Sequence, residues 1–224
     1  MKTLEQIFDL EAGTKRVVPS LVIRDVKLAK PVAEALLAGG IDVATIRIVD
    51  RVSFDVVRVL ANEVPELTVG AGFVFNSADF MSASLAGAKY ISSPGSTPEL
   101  FNAARTRYNN AHFLPGVVTP SEVMDAYTRG FDVLNFYPAE YFDGYNLLQL
   151  YGRSFPTVAF AVHGGATFSH DDVDKYLSLP NVLSVGISSF ETAGIIAAGD
   201  FAKLQQYAEQ MVRLAKKANE LKVR

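Results

Sequence analysis

"FDVLNFYPAEYFDG" (residues 131–144) begins as an apolar run and ends in a polar loop, with Asn135 set between Leu134 and Phe136. A short apolar stretch that stops abruptly at turn residues is how a strand buried on both faces reads. The run is followed by "YNLLQLYG", whose apolar residues recur at helical spacing. The same couplet repeats in both directions along the chain. Upstream, "HFLPGVV" (112–118) precedes "TPSEVMDAYTRG", "KYISS" (89–93) precedes "STPELFNAARTRY", and "LTVGAGFVF" (67–75) precedes "SADFMSASLAGA". Further back, "VATIRIV" (43–49) leads into "SFDVVRVLANEV", and "VVPSLVI" (17–23) into "VKLAKPVAEALLAGG", whose closing glycines read as a helix stop. Downstream, "TVAFAV" (157–162) precedes "SHDDVDKYLSL", and "VLSVGI" (182–187) precedes a final helix rich in Ala, Lys and Leu.

Eight strand–helix couplets in 224 residues predict an α/β fold, a closed (β/α)8 TIM barrel. An open doubly wound sheet is the alternative, and it needs fewer strands. No linker or low-complexity stretch interrupts the rhythm, so the expectation is one domain over residues 1–224, with residues 1–13 forming an extra N-terminal helix packed at one end.

Composition narrows the function. The chain is 49% hydrophobic and 20% charged, with 21 Lys and Arg against 24 Asp and Glu. A net charge of −3 offers no electrostatic footprint for nucleic acid or an anionic membrane. Cysteine is absent, which excludes disulfides, thiolate metal sites and cysteine nucleophiles. The N-terminal "MKTLEQIFDLEAG" lacks the apolar core of a signal peptide, and no run reaches the ~18 apolar residues of a membrane span. A cytoplasmic protein is expected.

In a (β/α)8 barrel the chemistry sits where strands end and βα loops begin. There the sequence places Thr45 and Arg47, Gly70–Phe73, Ser92–Gly95, Pro115–Val117, Asn135–Glu140, His163–Gly165 and Gly186–Ser189. "VHGGAT" and "VGISSF" follow the seventh and eighth runs, where barrels often hold a phosphate on backbone N–H groups. Gly164, Gly165, Gly186 and Ser188 are thus candidates for an anion cradle, or else simply make tight turns. The glycines before Phe73 serve either a bend or a close approach, and Phe73 itself is bulky for a small polar pocket. Arg47 stands alone in an apolar run and could grip a carboxylate or pair with Asp50. His163 lacks ligand-spaced partners, which argues against a metal and leaves a hydrogen-bonding or acid/base role.

Taken in order, "VVPSLVI", "LLAGGIDV", "EVPELTVGAG", "ISSPG", "LPGVVTPSEVM", "FYPAE" and the "GG" of "VHGGAT" resemble the 2-keto-3-deoxy-6-phosphogluconate / 4-hydroxy-2-oxoglutarate (KDPG/KHG) aldolase family across nearly the whole chain. The resemblance implies a barrel that assembles as a homotrimer and cleaves phosphorylated 2-keto-3-deoxy sugar acids to pyruvate and an aldehyde. It implies no metal and no organic cofactor. The family's nucleophile is a lysine that forms a Schiff base with the substrate ketone, and a glutamate moves the protons. Its sixth-strand pattern reads close to Lys-Phe-Phe-Pro-Ala-Glu; here "NFYPAE" puts the lysine's place on Asn135. Its second-strand pattern, close to Leu-Glu-Val-Thr-Leu-Arg, meets "ATIRIV", so the glutamate falls on Thr45, the threonine on Arg47 and the arginine on Val49. Family threonines fall on Phe73 and His163. Retained are Gly164, Gly165, Gly186 and Ser188, with Pro94, Pro115, Pro138 and Glu140.

An amide nitrogen delocalises its lone pair and forms no iminium ion. Lys15, Lys27, Lys30 and Lys89 all fall away from the strand ends in this reading. The expected ligand is a phosphorylated keto acid or a pyruvate-like anion, met by Arg47, Phe73, Pro94, Tyr137 and the glycine loops. Thr45, Arg47, Asn135 and His163 are the candidates expected to line a rewritten pocket, with no catalytic residue assigned among them. The alternatives are a diverged enzyme of another class and a non-catalytic anion-binding or trimeric scaffold protein.

Overall fold

Strand placement follows the apolar runs closely. The computed structural model describes Ile7 and residues 17–164, 170–187 and 190–220. Its strands are β1 (Val17–Leu21), β2 (Val43–Arg47), β3 (Thr68–Gly72), β4 (Tyr90–Ser92), β5 (His112–Leu114), β6 (Gly116–Val117), β7 (Val133–Phe136), β8 (Ala159–His163) and β9 (Val182–Ile187). All neighbouring pairs are parallel, in the order β5-β4-β3-β2-β1-β9-β8-β7-β6. The expected fifth strand is split at Pro115, which has no N–H to give to a ladder. Its carbonyl still accepts from the Asn135 N–H at 2.9 Å. Because β5 and β6 are halves of one run, chain continuity closes the ring into the TIM-type barrel that the sequence predicts.

The covering helices are α1 (Ala29–Ala38), α2 (Arg51–Glu63), α3 (Ser77–Ala86), α4 (Pro98–Ala104), α5 (Pro120–Thr128), α6 (Gly144–Ser154), α7 (His170–Leu177), α8 (Phe190–Ala197) and α9 (Phe201–Glu220). Side-chain caps start many of them: Asp50 and Ser53 form a reciprocal capping box on α2, and Thr119 and Glu122 another on α5, while Asn76 and Thr97 cap α3 and α4. The sequence predicts one helix after the last strand, and the structure has two. The break falls at "AAGD", where Gly199 takes φ +68, a left-handed conformation that ends a helix.

Alternation sorts the strand residues. Ala44, Ile46, Val69, Ala71, Leu134 and Phe160 face the helices in the main core. Val18, Val43, Tyr90, Leu114, Val133 and Ala161 fill the inside of the ring. Several of these are first residues of their strands, so they plug the N-terminal end of the barrel. Ile7, helical and 2% exposed, joins that inner cluster; the rest of the expected helix 1–13 lies outside the described residues. Among the described residues no helix is long and apolar enough to cross a membrane.

Candidate functional site at the barrel mouth

Above the apolar plug the barrel interior turns polar. Ser20, Thr45, Ser92, Ser93 and Asn135 are all buried and lie toward the C-terminal ends of their strands or just beyond. A large ring set low in the barrel raises this layer: Tyr90 points inward and its hydroxyl lies 2.8 Å from Thr45 Oγ1. Gly70, opposite on β3, makes room for that ring, since a Cβ there would come 2.2 Å from it. Burial pushes the Tyr90 phenol well above its ordinary range, with the Thr45 hydrogen bond pulling the other way.

Over this layer lies a cavity of about 20 Å³, room for about one water-sized group. Its walls include Thr45, Phe73, Pro94, Asn135, Tyr137, His163 and Gly164, so seven of the candidate ligand and pocket residues named from the sequence do converge. Asn135 is 4% exposed, points inward, and donates from Nδ2 to the Ser93 carbonyl at 2.7 Å. Its Oδ1 lies 2.6 Å from His163 Nδ1. The loop that carries Ser93 and Pro94 is pressed onto β6, where a Cβ at Gly116 would come 2.4 Å from the Ser93 carbonyl oxygen and the Gly95 nitrogen. The Gly116 N–H in turn donates to Ser93 Oγ at 3.3 Å.

His163 ends β8 with its ring on Gly186 of β9, where a Cβ would lie 2.0 Å from the imidazole Cδ2. The glycine expected in an anion loop thus also seats this ring. Burial lowers the imidazole from 6.5 to about 4, against a weaker upward pull from the Ala161 backbone. The ring is therefore neutral at physiological pH, unlike the near-neutral titration of an unperturbed histidine. The Nε2 atom is buried and has no hydrogen-bond partner among the described residues.

Phe73 and Tyr137 roof the cavity. Their ring centroids are 5.3 Å apart, edge to face, and Phe75 continues the row at 5.9 Å from Phe73. Phe73 has φ +63, left-handed backbone that a bulky residue adopts only where its surroundings hold it. The Arg47 guanidinium lies 4.0 Å from the centre of the Phe73 ring, a cation–π contact. Asp50, the acid considered as its partner, caps α2 and lies 3.7 Å from Arg24. Burial raises the Tyr137 phenol, with nearby Arg47 opposing.

Gly165 and Ser188 lie outside the described residues. No described lysine lines the mouth. Lys27, Lys30, Lys89 and Lys175 are exposed, and Lys89 lies beside Ile7 and Leu67 at the opposite end of the barrel. Sequence reasoning did not single out Tyr90 or Ser20, and took in Ser93 only as part of the stretch Ser92–Gly95. For Tyr90 the available signal is Gly70, a missing side chain on the neighbouring strand; for the serines it is a hydroxyl at a strand end or inside an apolar run.

Residues 9–207 match the family described as "Aldolase: KDPG and KHG aldolase". A 2-dehydro-3-deoxy-phosphogluconate aldolase of Pseudoalteromonas atlantica is 37% identical over 196 residues, spanning 88% of this chain and 89% of that protein. The KHG/KDPG aldolase of Escherichia coli is 36% identical over 203 residues, 91% of this chain and 93% of that one. Among solved structures, KDPG aldolase from Legionella pneumophila, with pyruvate captured as a covalent carbinolamine intermediate, superposes with a TM-score of 0.81. It is 31% identical and the match covers 92% of this chain and 98% of that chain.

Proposed function

We propose a function from one premise: the chain belongs to the KDPG and KHG aldolase family. The mouth of its barrel binds a pyruvate-like 2-keto acid, with a phosphorylated 2-keto sugar acid as the reference ligand, and does so without Schiff-base chemistry. The observation that carries this reading is Asn135. Its amide occupies the mouth and is tied at both ends, to the Ser93 carbonyl and to His163. The carbinolamine in the Legionella enzyme is an adduct of an amine with a ketone. An amide cannot make one, and no described lysine is at hand to replace it.

In this reading Arg47 swings from the Phe73 ring to meet the ligand carboxylate, and Phe73 and Tyr137 lift to admit it. Gly164, Gly165, Gly186 and Ser188 hold the phosphate end. Thr45 takes the place of a proton-moving acid but cannot do its work, because a hydroxyl has no pKa near neutrality. A homotrimer of single barrel domains and a cytoplasmic location complete the proposal.

Thermal shift with pyruvate, 2-oxoglutarate and a phosphorylated 2-keto sugar acid tests it. At least one of these anions raises Tm, and Gly165→Asp, which sets a carboxylate in the proposed cradle, weakens the effect of the phosphorylated ligand. If no anion raises Tm and the variant behaves as the parent does, the proposal fails.

A further inference from the structure

Asn135 and His163 form a hydrogen-bond chain whose direction can be read from one end to the other. The Ser93 carbonyl only accepts, so the amide atom 2.7 Å from it must be the Nδ2–H group. The reversed amide would set two oxygens against each other. That leaves Oδ1, another pure acceptor, 2.6 Å from His163 Nδ1, which must therefore carry a proton. A neutral imidazole has a single N–H, so Nε2 presents a lone pair. That atom is buried without a partner among the described residues. A buried acceptor is stabilised by a group that donates to it and gains nothing from a second acceptor.

We propose that His163 Nε2 reads a hydroxyl at the mouth, so that the site prefers a ligand hydroxylated at C2, a 2-hydroxy acid or the hydrate of a 2-keto acid, over the free ketone. Asn135 is the positioning residue that holds the imidazole as its Nδ1–H tautomer. The cavity that His163 helps to line has room for about one oxygen atom with its hydrogens. A ketone oxygen placed there meets a lone pair; a hydroxyl donates to it. The inference rests on the reading of the mouth as a small-carboxylate site and adds that it selects a hydroxyl over a carbonyl at C2.

Two measurements test it. Long-range 1H–15N NMR on the parent, with His163 assigned through His163→Gln, reports which ring nitrogen holds the proton. The Nδ1–H form is expected, and an Nε2–H form overturns the inference without any ligand. Titration with D-lactate, L-lactate and pyruvate, which share the three-carbon carboxylate and differ at C2, gives the preference. One lactate enantiomer binds about five- to tenfold more tightly than pyruvate, the worth of one well-made hydrogen bond. In Asn135→Leu, which frees the ring, that preference falls to about one. Pyruvate binding as tightly as lactate overturns the inference and leaves the keto-acid function standing; no binding by any of the three overturns the inference, and the thermal shift with 2-oxoglutarate and the phosphorylated acid then decides the keto-acid function separately.

Discussion

Acidification will destabilise this protein through His163, and the size of the effect follows from the environment of one ring. Buried against Gly186 and held by Asn135, the imidazole resists protonation down to about pH 4, whereas in the unfolded chain it takes up a proton near 6.5. Between those values the unfolded state binds more protons than the folded one, so stability falls as pH falls. The contribution is fully present above 6.5 and is lost progressively down to about 4. At about 1.4 kcal/mol for each pH unit of that interval, the loss is roughly 3 kcal/mol, a large share of the ~5–15 kcal/mol that holds a typical domain together. Urea unfolding of the parent and of His163→Gln, run at several values from pH 7.5 to 4, isolates the term because the carboxylates are common to both proteins. The parent should lose about 3 kcal/mol more than the variant over the interval. Parallel profiles, agreeing within ~0.5 kcal/mol, would refute the claim that this ring is buried and neutral.

Two further substitutions probe the polar layer under the mouth. Gly70→Ala drives a Cβ to 2.2 Å from the Tyr90 ring, inside a packed barrel, and should cost about 1–3 kcal/mol or more in urea unfolding; a change near zero would show that the ring sits elsewhere. Thr45→Val removes the 2.8 Å hydrogen bond to the Tyr90 hydroxyl, and a double-mutant cycle with Tyr90→Phe should return a coupling of about 1 kcal/mol, where strict additivity would deny the contact.

The fold was readable because its signal is repeated. Each apolar run in the sequence corresponds to a strand, and several turn clusters supply a helix cap, such as Asp50 or Thr119, so local and global preferences agree. Two details escaped the pattern. Pro115 divides one strand into two segments because it lacks a donor, and Gly199 breaks the final helix because it adopts a left-handed backbone. Neither interrupts the apolar periodicity from which the elements were inferred.

The site was readable in its membership more than in its connections. Strand-end position and residue type sufficed to bring Thr45, Phe73, Asn135, Tyr137 and His163 together. What could not be read was which atom meets which. The tie of Asn135 to Ser93 joins residues 42 positions apart and depends on how the loop after β4 lies on Gly116. The lowered basicity of His163 comes from burial, which a sequence does not express residue by residue. Arg47 shows the same limit: either a ligand or Asp50 could be argued from sequence, and the guanidinium lies over the Phe73 ring.

The central claim is that this mouth holds an amide where covalent catalysis would need an amine. Incubation with pyruvate, reduction with borohydride and intact-mass analysis puts it to the test, with Asn135→Lys treated in parallel. The parent is predicted to keep its mass while the variant gains one reduced pyruvyl group on residue 135. A pyruvyl group trapped on any lysine of the parent would contradict the account.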